Sequence, residues 1–186
     1  MELKNKIFVI QNLIRSENFS TAIVNCKKLL KKYPENSYTY NLCGLALQGE
    51  KRFSNSIEYF SKALHYDSEN LAAMNNLANS YKTLYYYDKA QDLYLKIIKK
   101  DPLNLKTLNN YANLKRTWND FDGAIDLYLK ATKINPEEIN ILFSLADSYQ
   151  SIGDFKKSRE VIDRILRIDP NKTSAHKLIS GFTNYH

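Results

Sequence analysis

Residues 76–102 read NLANSYKTLYYYDKAQDLYLKIIKKDP, and the phase of their apolar residues breaks once. Before the break, Met74, Leu77, Ala78, Tyr81 and Leu84 follow the spacing i, i+3, i+4, i+7, i+10. After Tyr85 and Tyr86, a second stripe runs through Tyr87, Ala90, Tyr94, Ile97 and Ile98. Each spacing places its apolar side chains along one side of an α-helix. The break predicts a turn, so the stretch is read as two antiparallel helices. Pro102 closes the second, because a proline lacks the N–H that would continue it.

The same pattern returns every 34 residues. Pro34, Pro102, Pro136 and Pro170 lie on one lattice whose vacant point is Ser68. Aromatic residues share the period at Phe19, Phe53, Tyr87, Phe121 and Phe155, and small ones follow at Ala22, Ser56, Ala90, Ala124 and Ser158. A further small series runs Gly44, Ala78, Ala112, Ala146 and Ser180. Coincident series at one period are the mark of a structural repeat. The small residues let the helices of a pair approach closely, since larger side chains there would overpack the crossing.

These residues resemble the tetratricopeptide repeat: Leu77, Ala78 and Tyr81 in the first helix, Tyr87 and Ala90 opening the second, Tyr94 within it and Pro102 at its end. The resemblance covers five units, 3–36, 37–70, 71–104, 105–138 and 139–172, with a capping helix over 173–183, so that residues 1–186 are read as one repeat domain. It implies an all-α fold, a right-handed α-solenoid of antiparallel helical hairpins. It also implies a protein-interaction scaffold that binds an extended peptide in the concave groove formed by the first helices. Ile10 in place of a small residue, Lys115 at an aromatic position, and Leu29, Ile97 and Ile165 in place of alanine depart from the pattern.

Within this frame two stretches stand out, NNLAN at 75–79 and NNYAN at 109–113. Asparagine is a poor helix former because its amide competes for backbone hydrogen bonds. Six of them in place of alanine cost about 4 kcal/mol of helix propensity. If Met74, Leu77 and Ala78 face neighbouring helices, then Asn75, Asn76, Asn79 and Lys82 share the opposite face, and so do Lys106, Asn109, Asn110, Asn113 and Arg116 one period later. These nine residues are the candidate peptide-binding set. An amide donates to a peptide carbonyl and accepts from a peptide N–H at once. Helices about 10 Å apart would grip roughly every third residue of an extended chain.

The positions Asn76, Asn79, Asn110 and Asn113 are similar to the asparagine ladder in the repeat array of the protein O-linked N-acetylglucosamine transferases. Asn79 and Asn110 also match the carboxylate clamp of chaperone-tail receptors, but Asn75 and Ser144 stand where that clamp has lysine and arginine, which disfavours such a ligand. Lys82 and Arg116 suit an acidic or phosphorylated segment. The competing reading is compositional, since the chain has twenty asparagines in 186 residues. On the binding reading, Asn76→Ala with Asn110→Ala should raise stability and weaken peptide binding.

The net charge of +7 raises the question of nucleic acid. Residues 1–36 hold seven Lys and Arg against three Asp and Glu, whereas residues 105–172 hold eleven against ten. The surplus is therefore local. With no aromatic platform between them, Lys27, Lys28, Lys31 and Lys32 read as a solvated face, so nucleic acid is disfavoured. No run approaches the about 18 apolar residues of a membrane span, and the start lacks the apolar core of a secretory signal. A cytoplasmic protein is expected. Cys26 and Cys43 fall at core positions without metal spacing, and no nucleophile, base or phosphate-loop constellation occurs, so neither cofactor nor enzymatic activity is expected. Alternatives are the targeting repeat domain of a larger sulfotransferase-like or glycosyltransferase-like protein, and self-assembly through the open ends and Tyr85–Tyr86. Leu178, Ile179 and Phe182 are expected to cover the last hairpin.

Overall fold

The structure is a computed structural model that describes residues 2–182, with side chains to residue 178. Its described residues form eleven helices and no strand: α1 (Glu2–Arg15), α2 (Phe19–Lys32), α3 (Ser37–Gly49), α4 (Phe53–Tyr66), α5 (Leu71–Thr83), α6 (Tyr87–Lys100), α7 (Leu105–Thr117), α8 (Phe121–Ile134), α9 (Ile139–Ser151), α10 (Phe155–Ile168) and α11 (Thr173–Phe182). The chain gathers into two compact units, Met1–Ile97 and Ile98–His186. In the first, α1 packs on α2 and α3, α2 on α3, and α4 on α3 and α5. In the second, α7 packs on α8, α8 on α9, α9 on α10 and α10 on α11.

The even-numbered helices from α2 to α10 each begin at one of the lattice aromatics and end at Lys32, Tyr66, Lys100, Ile134 and Ile168, again 34 residues apart. The endpoint does not need the proline: α4, followed by Ser68, stops where the others do, with the Asp67 N–H bonded to the Ala63 carbonyl. Three of the odd-numbered helices, α3, α5 and α7, start from a cap that the apolar pattern does not display. The Asn36, Asn70 and Asn104 side chains accept from the N–H of Thr39, Ala73 and Thr107. Such caps contribute about 1 kcal/mol each. Three asparagines thus have local work at helix starts.

The turn inside each hairpin follows one geometry. Glu17, Lys51, Tyr85, Asn119 and Gly153, all 34 apart, have φ between 58 and 79°. The N–H of the next residue reaches back five positions, as from Arg52 to the Leu47 carbonyl at 2.9 Å and from Asp154 to the Tyr149 carbonyl at 2.9 Å. This is a Schellman ending, which satisfies the last carbonyls of the first helix. Glycine is favoured there, yet four of the five positions carry a side chain.

The core is built from paired sizes. Phe60, Tyr94, Tyr128 and Ile162 are fully buried, and the positions sixteen residues earlier hold Gly44, Ala78, Ala112 and Ala146. A Cβ on Gly44 would lie 2.5 Å from the Phe60 ring. In the first hairpin the sizes are exchanged: Ile10 comes from the first helix and Cys26 from the second, and both are buried. The departure at Ile10 is thus compensated across the interface. Lys115 is compensated too. At the equivalent positions Tyr81 and Tyr149 each carry an ammonium over the ring, Lys89 and Lys157, at 5.5 Å. Gly123 stands where the next such lysine would be, and Lys115 itself lies over Tyr111 and Trp118 while bonding Asp120 at 2.8 Å. Leu178 packs against the Ile162–Ile165 cluster, whereas the side chains of Ile179 and Phe182 lie outside the described residues.

Two substitutions isolate these features. Gly44→Ala forces a methyl into the Phe60 ring and should lower stability by about 1–3 kcal/mol. Gly153→Ala meets no neighbour within 4 Å, so its loss of about 1 kcal/mol comes from the left-handed backbone alone. Urea denaturation checks both, and Gly44→Ala combined with Phe60→Leu should regain part of the first loss.

Candidate functional site

The candidate residues lie on α5 in the first unit and α7 in the second, and their environments divide them. On α5, Asn75 and Asn76 are each only 3% exposed. This corrects the expectation that both amides stand on an open face. The reason is the neighbouring hairpin: the Asn76 Nδ2 donates to Asn41 Oδ1 on α3 at 2.9 Å, and Gln48, also on α3, donates to the Asn76 carbonyl and to Ser80 Oγ. Ser80 Oγ shares a further hydrogen bond with Ser56 Oγ on α4 at 2.7 Å. A polar seam therefore joins α3, α4 and α5. Removing the Asn76 amide would leave Asn41 without this donor, so the expected gain from Asn76→Ala becomes a loss.

Asn79 is half-buried, and its Oδ1 accepts from the Tyr94 hydroxyl at 2.6 Å. One period later Asn113 Oδ1 accepts from the Tyr128 hydroxyl at 2.7 Å. Both phenols sit in the core, and burial raises their pKa. A neutral phenol in such a place needs an acceptor, since an unpaired buried hydroxyl costs about 1–3 kcal/mol. The pairing is readable across the hairpins. Where the core residue is Phe60 or Ile162, the position fifteen residues earlier is Leu45 or Asp147 and no amide is present. Because the phenol donates to the oxygen, each amide is held with its NH2 group turned away from the core.

Lys82, one turn beyond Asn79, is partly buried and pairs with no carboxylate among the described residues; burial pulls its pKa below the ordinary lysine range. Arg116, at the equivalent place on α7, differs. It is ion-paired with Asp147 on α9, and its Nε is buried without a hydrogen-bond partner. Its charge is therefore compensated inside the unit, which corrects its role as a free reader of negative charge. Asn109 and Asn110 are half-buried and Lys106 is exposed.

Among the described residues no group of His, Cys, Asp and Glu is arranged to hold a metal ion, and no helix is long and apolar enough to cross a membrane. Cys26 and Cys43 are free thiols in the core of the first unit. The asparagine caps, the left-handed turn positions and the tyrosine–asparagine pairs were absent from the sequence expectations. The tyrosine–asparagine pairs had a signal: an Asn appears fifteen residues before a core Tyr and not before Phe60 or Ile162.

The family model described as "Psidin, N-terminal TPR repeats region" matches residues 4–112, and one described as "Tetratricopeptide repeat" matches residues 119–180. No curated protein sequence matches the chain at a significant level. Among solved structures, the chain is similar to Pseudomonas aeruginosa pilF, with a TM-score of 0.83 and 17% identity over 93% of this chain and 79% of that one. A MamA crystal structure gives 0.75 and 19% over 92% and 94%. YrrB, a TPR protein described as having an unusual peptide-binding site, gives 0.73 and 15% over 94% and 90%. With the family model spanning more than half of its length, the chain belongs to the tetratricopeptide repeat family, an all-α fold of the α-solenoid class whose hairpins serve as scaffolds for protein interaction.

Proposed function

We propose that this chain is a non-catalytic interaction scaffold that binds an extended peptide segment along the exposed faces of its first helices. The observation that carries this reading is the fixed orientation of two amides. Tyr94 and Tyr128 take the oxygens of Asn79 and Asn113, which leaves the NH2 groups as preset donors for main-chain carbonyls of a ligand. A donor held by a neighbour loses little freedom on binding, so more of each hydrogen bond appears as affinity. Lys82, partly desolvated and with no carboxylate partner among the described residues, favours an acidic side chain or a phosphate at the adjacent ligand position. On α7, Lys106, Asn109 and Asn110 extend the polar face of the second unit. Asn75 and Asn76 are buried, Asn76 against Asn41, and Arg116 is paired with Asp147. YrrB shares the fold and is described as binding peptide, which is compatible with this use of the hairpins.

An extended probe of alternating Glu and Ser tests the reading by fluorescence anisotropy, beside the same probe with Gln for Glu. Lys82→Gln should weaken the acidic probe about tenfold and leave the neutral one unchanged; equal affinities for wild type and variant would remove the acidic specificity. Asn79→Ala, on the same helix as Lys82, should weaken both probes.

A thermodynamic cycle on the first unit separates the structural share of the amide. Tyr94→Phe should cost about 1 kcal/mol and Asn79→Ala about 1–3 kcal/mol, with the double variant losing less than the sum because the two groups share one hydrogen bond. Additive losses in urea denaturation would show that the bond is not formed in solution.

A further inference from the structure

We infer that the groove between α1 and α2 is a docking site for one amphipathic helix of a partner protein, a helix with a narrow apolar stripe and acidic flanks. This surface uses neither α5 nor α7 and is independent of the peptide reading above.

The argument begins with equivalent positions. Asn5 and Val9 on α1 lie on the same lattice points as Thr39 and Cys43 on α3 and as Ile141 and Leu145 on α9. Those four later residues are at most 2% exposed, whereas Val9 is 51% exposed. What seals them is the second helix of the preceding hairpin. Cys26 and Leu29 of α2 share a core cluster with Cys43, and Tyr128 and Ala131 of α8 share one with Ile141 and Leu145. On α1 and α2 the same surface remains an open cavity of about 370 Å³, with Val9, Ile10 and Leu29 among its lining residues. Its shape is therefore that of a seat for a helix of the α2 and α8 kind, with small or medium apolar residues at the spacing of Ala22, Ile23, Cys26 and Leu29.

The rim specifies the charge. Lys6, Lys28 and Lys32 line the groove. Glu2 bridges Lys6 and Lys32 at 2.8 Å each, so three cations face one carboxylate, and Lys28 has no ion-pair partner among the described residues. The Glu2 carboxyl is held down to about 2 by its bonds to Lys32 and Lys6, and it remains charged at neutral pH. A net surplus of two positive charges around an apolar floor favours carboxylates on both flanks of the incoming helix and repels basic ones. The same charge argues against a second copy of this chain as the occupant. Its last described helices carry Arg159, Arg164, Arg167 and Lys177, and its own second helices α2, α4 and α8 are already packed within their units.

The test uses the full chain and a side-chain-stapled helical probe of fourteen residues. The probe carries Ala, Ile, Ala and Leu at the spacing of Ala22, Ile23, Cys26 and Leu29, with glutamates on both flanks. A matched probe carries lysines instead. Anisotropy should show binding of the acidic probe and at least about tenfold weaker binding of the basic one. Val9→Glu and Lys28→Glu should each weaken the acidic probe about tenfold with an unchanged thermal melt, since both side chains are exposed. Equal binding of the two probes, or unchanged affinity in both variants, overturns the proposal. So does sedimentation velocity showing a dimer of the wild type that Val9→Glu dissociates, which would make a second copy the occupant.

Discussion

The close contact between a bulky residue on one helix of a hairpin and a small residue on the other is the constraint on which the rest of this structure depends. Phe60 against Gly44 shows how little slack the contact leaves, with a Cβ excluded by the ring. Such contacts bring two helices near enough for their remaining side chains to meet, and interiors at this density transmit any mismatch to their neighbours. The exchange of sizes at Ile10 and Cys26 keeps the contact while reversing which helix supplies the bulk. What matters is the sum of the two volumes at the crossing.

The asparagines follow from that constraint. When the bulky residue is tyrosine, its hydroxyl is carried into the core along with its ring, and an acceptor must meet it. Asn79 and Asn113 are those acceptors. Asn36, Asn70 and Asn104 satisfy backbone N–H groups at helix starts, and Asn76 closes a seam with Asn41. An amide in a helix that looks wasteful by propensity alone is thus repaid by a hydrogen bond that would otherwise be missing. Two of these amides, Asn79 and Asn113, have their oxygens occupied by core phenols, and the peptide binding proposed above rests on their remaining donors.

Electrostatics divides the two units in a similar way. Lys82 has no carboxylate partner among the described residues and is partly desolvated, while Arg116 at the equivalent position is ion-paired with Asp147. Lys115 takes over the cation–aromatic contact that Lys89 and Lys157 make elsewhere. The repeat conserves the kind of contact but not the residue that supplies it. Each unit can therefore hold the same backbone while presenting a different surface.

The sequence by itself determined the helices, their pairing and the period of 34, because apolar spacing and small-residue positions are local signals that the 3.6-residue turn reads directly. It also marked Asn79, Lys82 and Asn113 as residues on one side of their helices. It left open which amides are spent, since Asn76 meets Asn41 from thirty-five residues away and Tyr94 meets Asn79 from fifteen. Only the packed structure brings such partners to hydrogen-bond distance. The same holds for Val9 and Cys43, which occupy one lattice position and differ entirely in exposure. Burial is a property of the neighbour, and a residue's own helix does not contain that information.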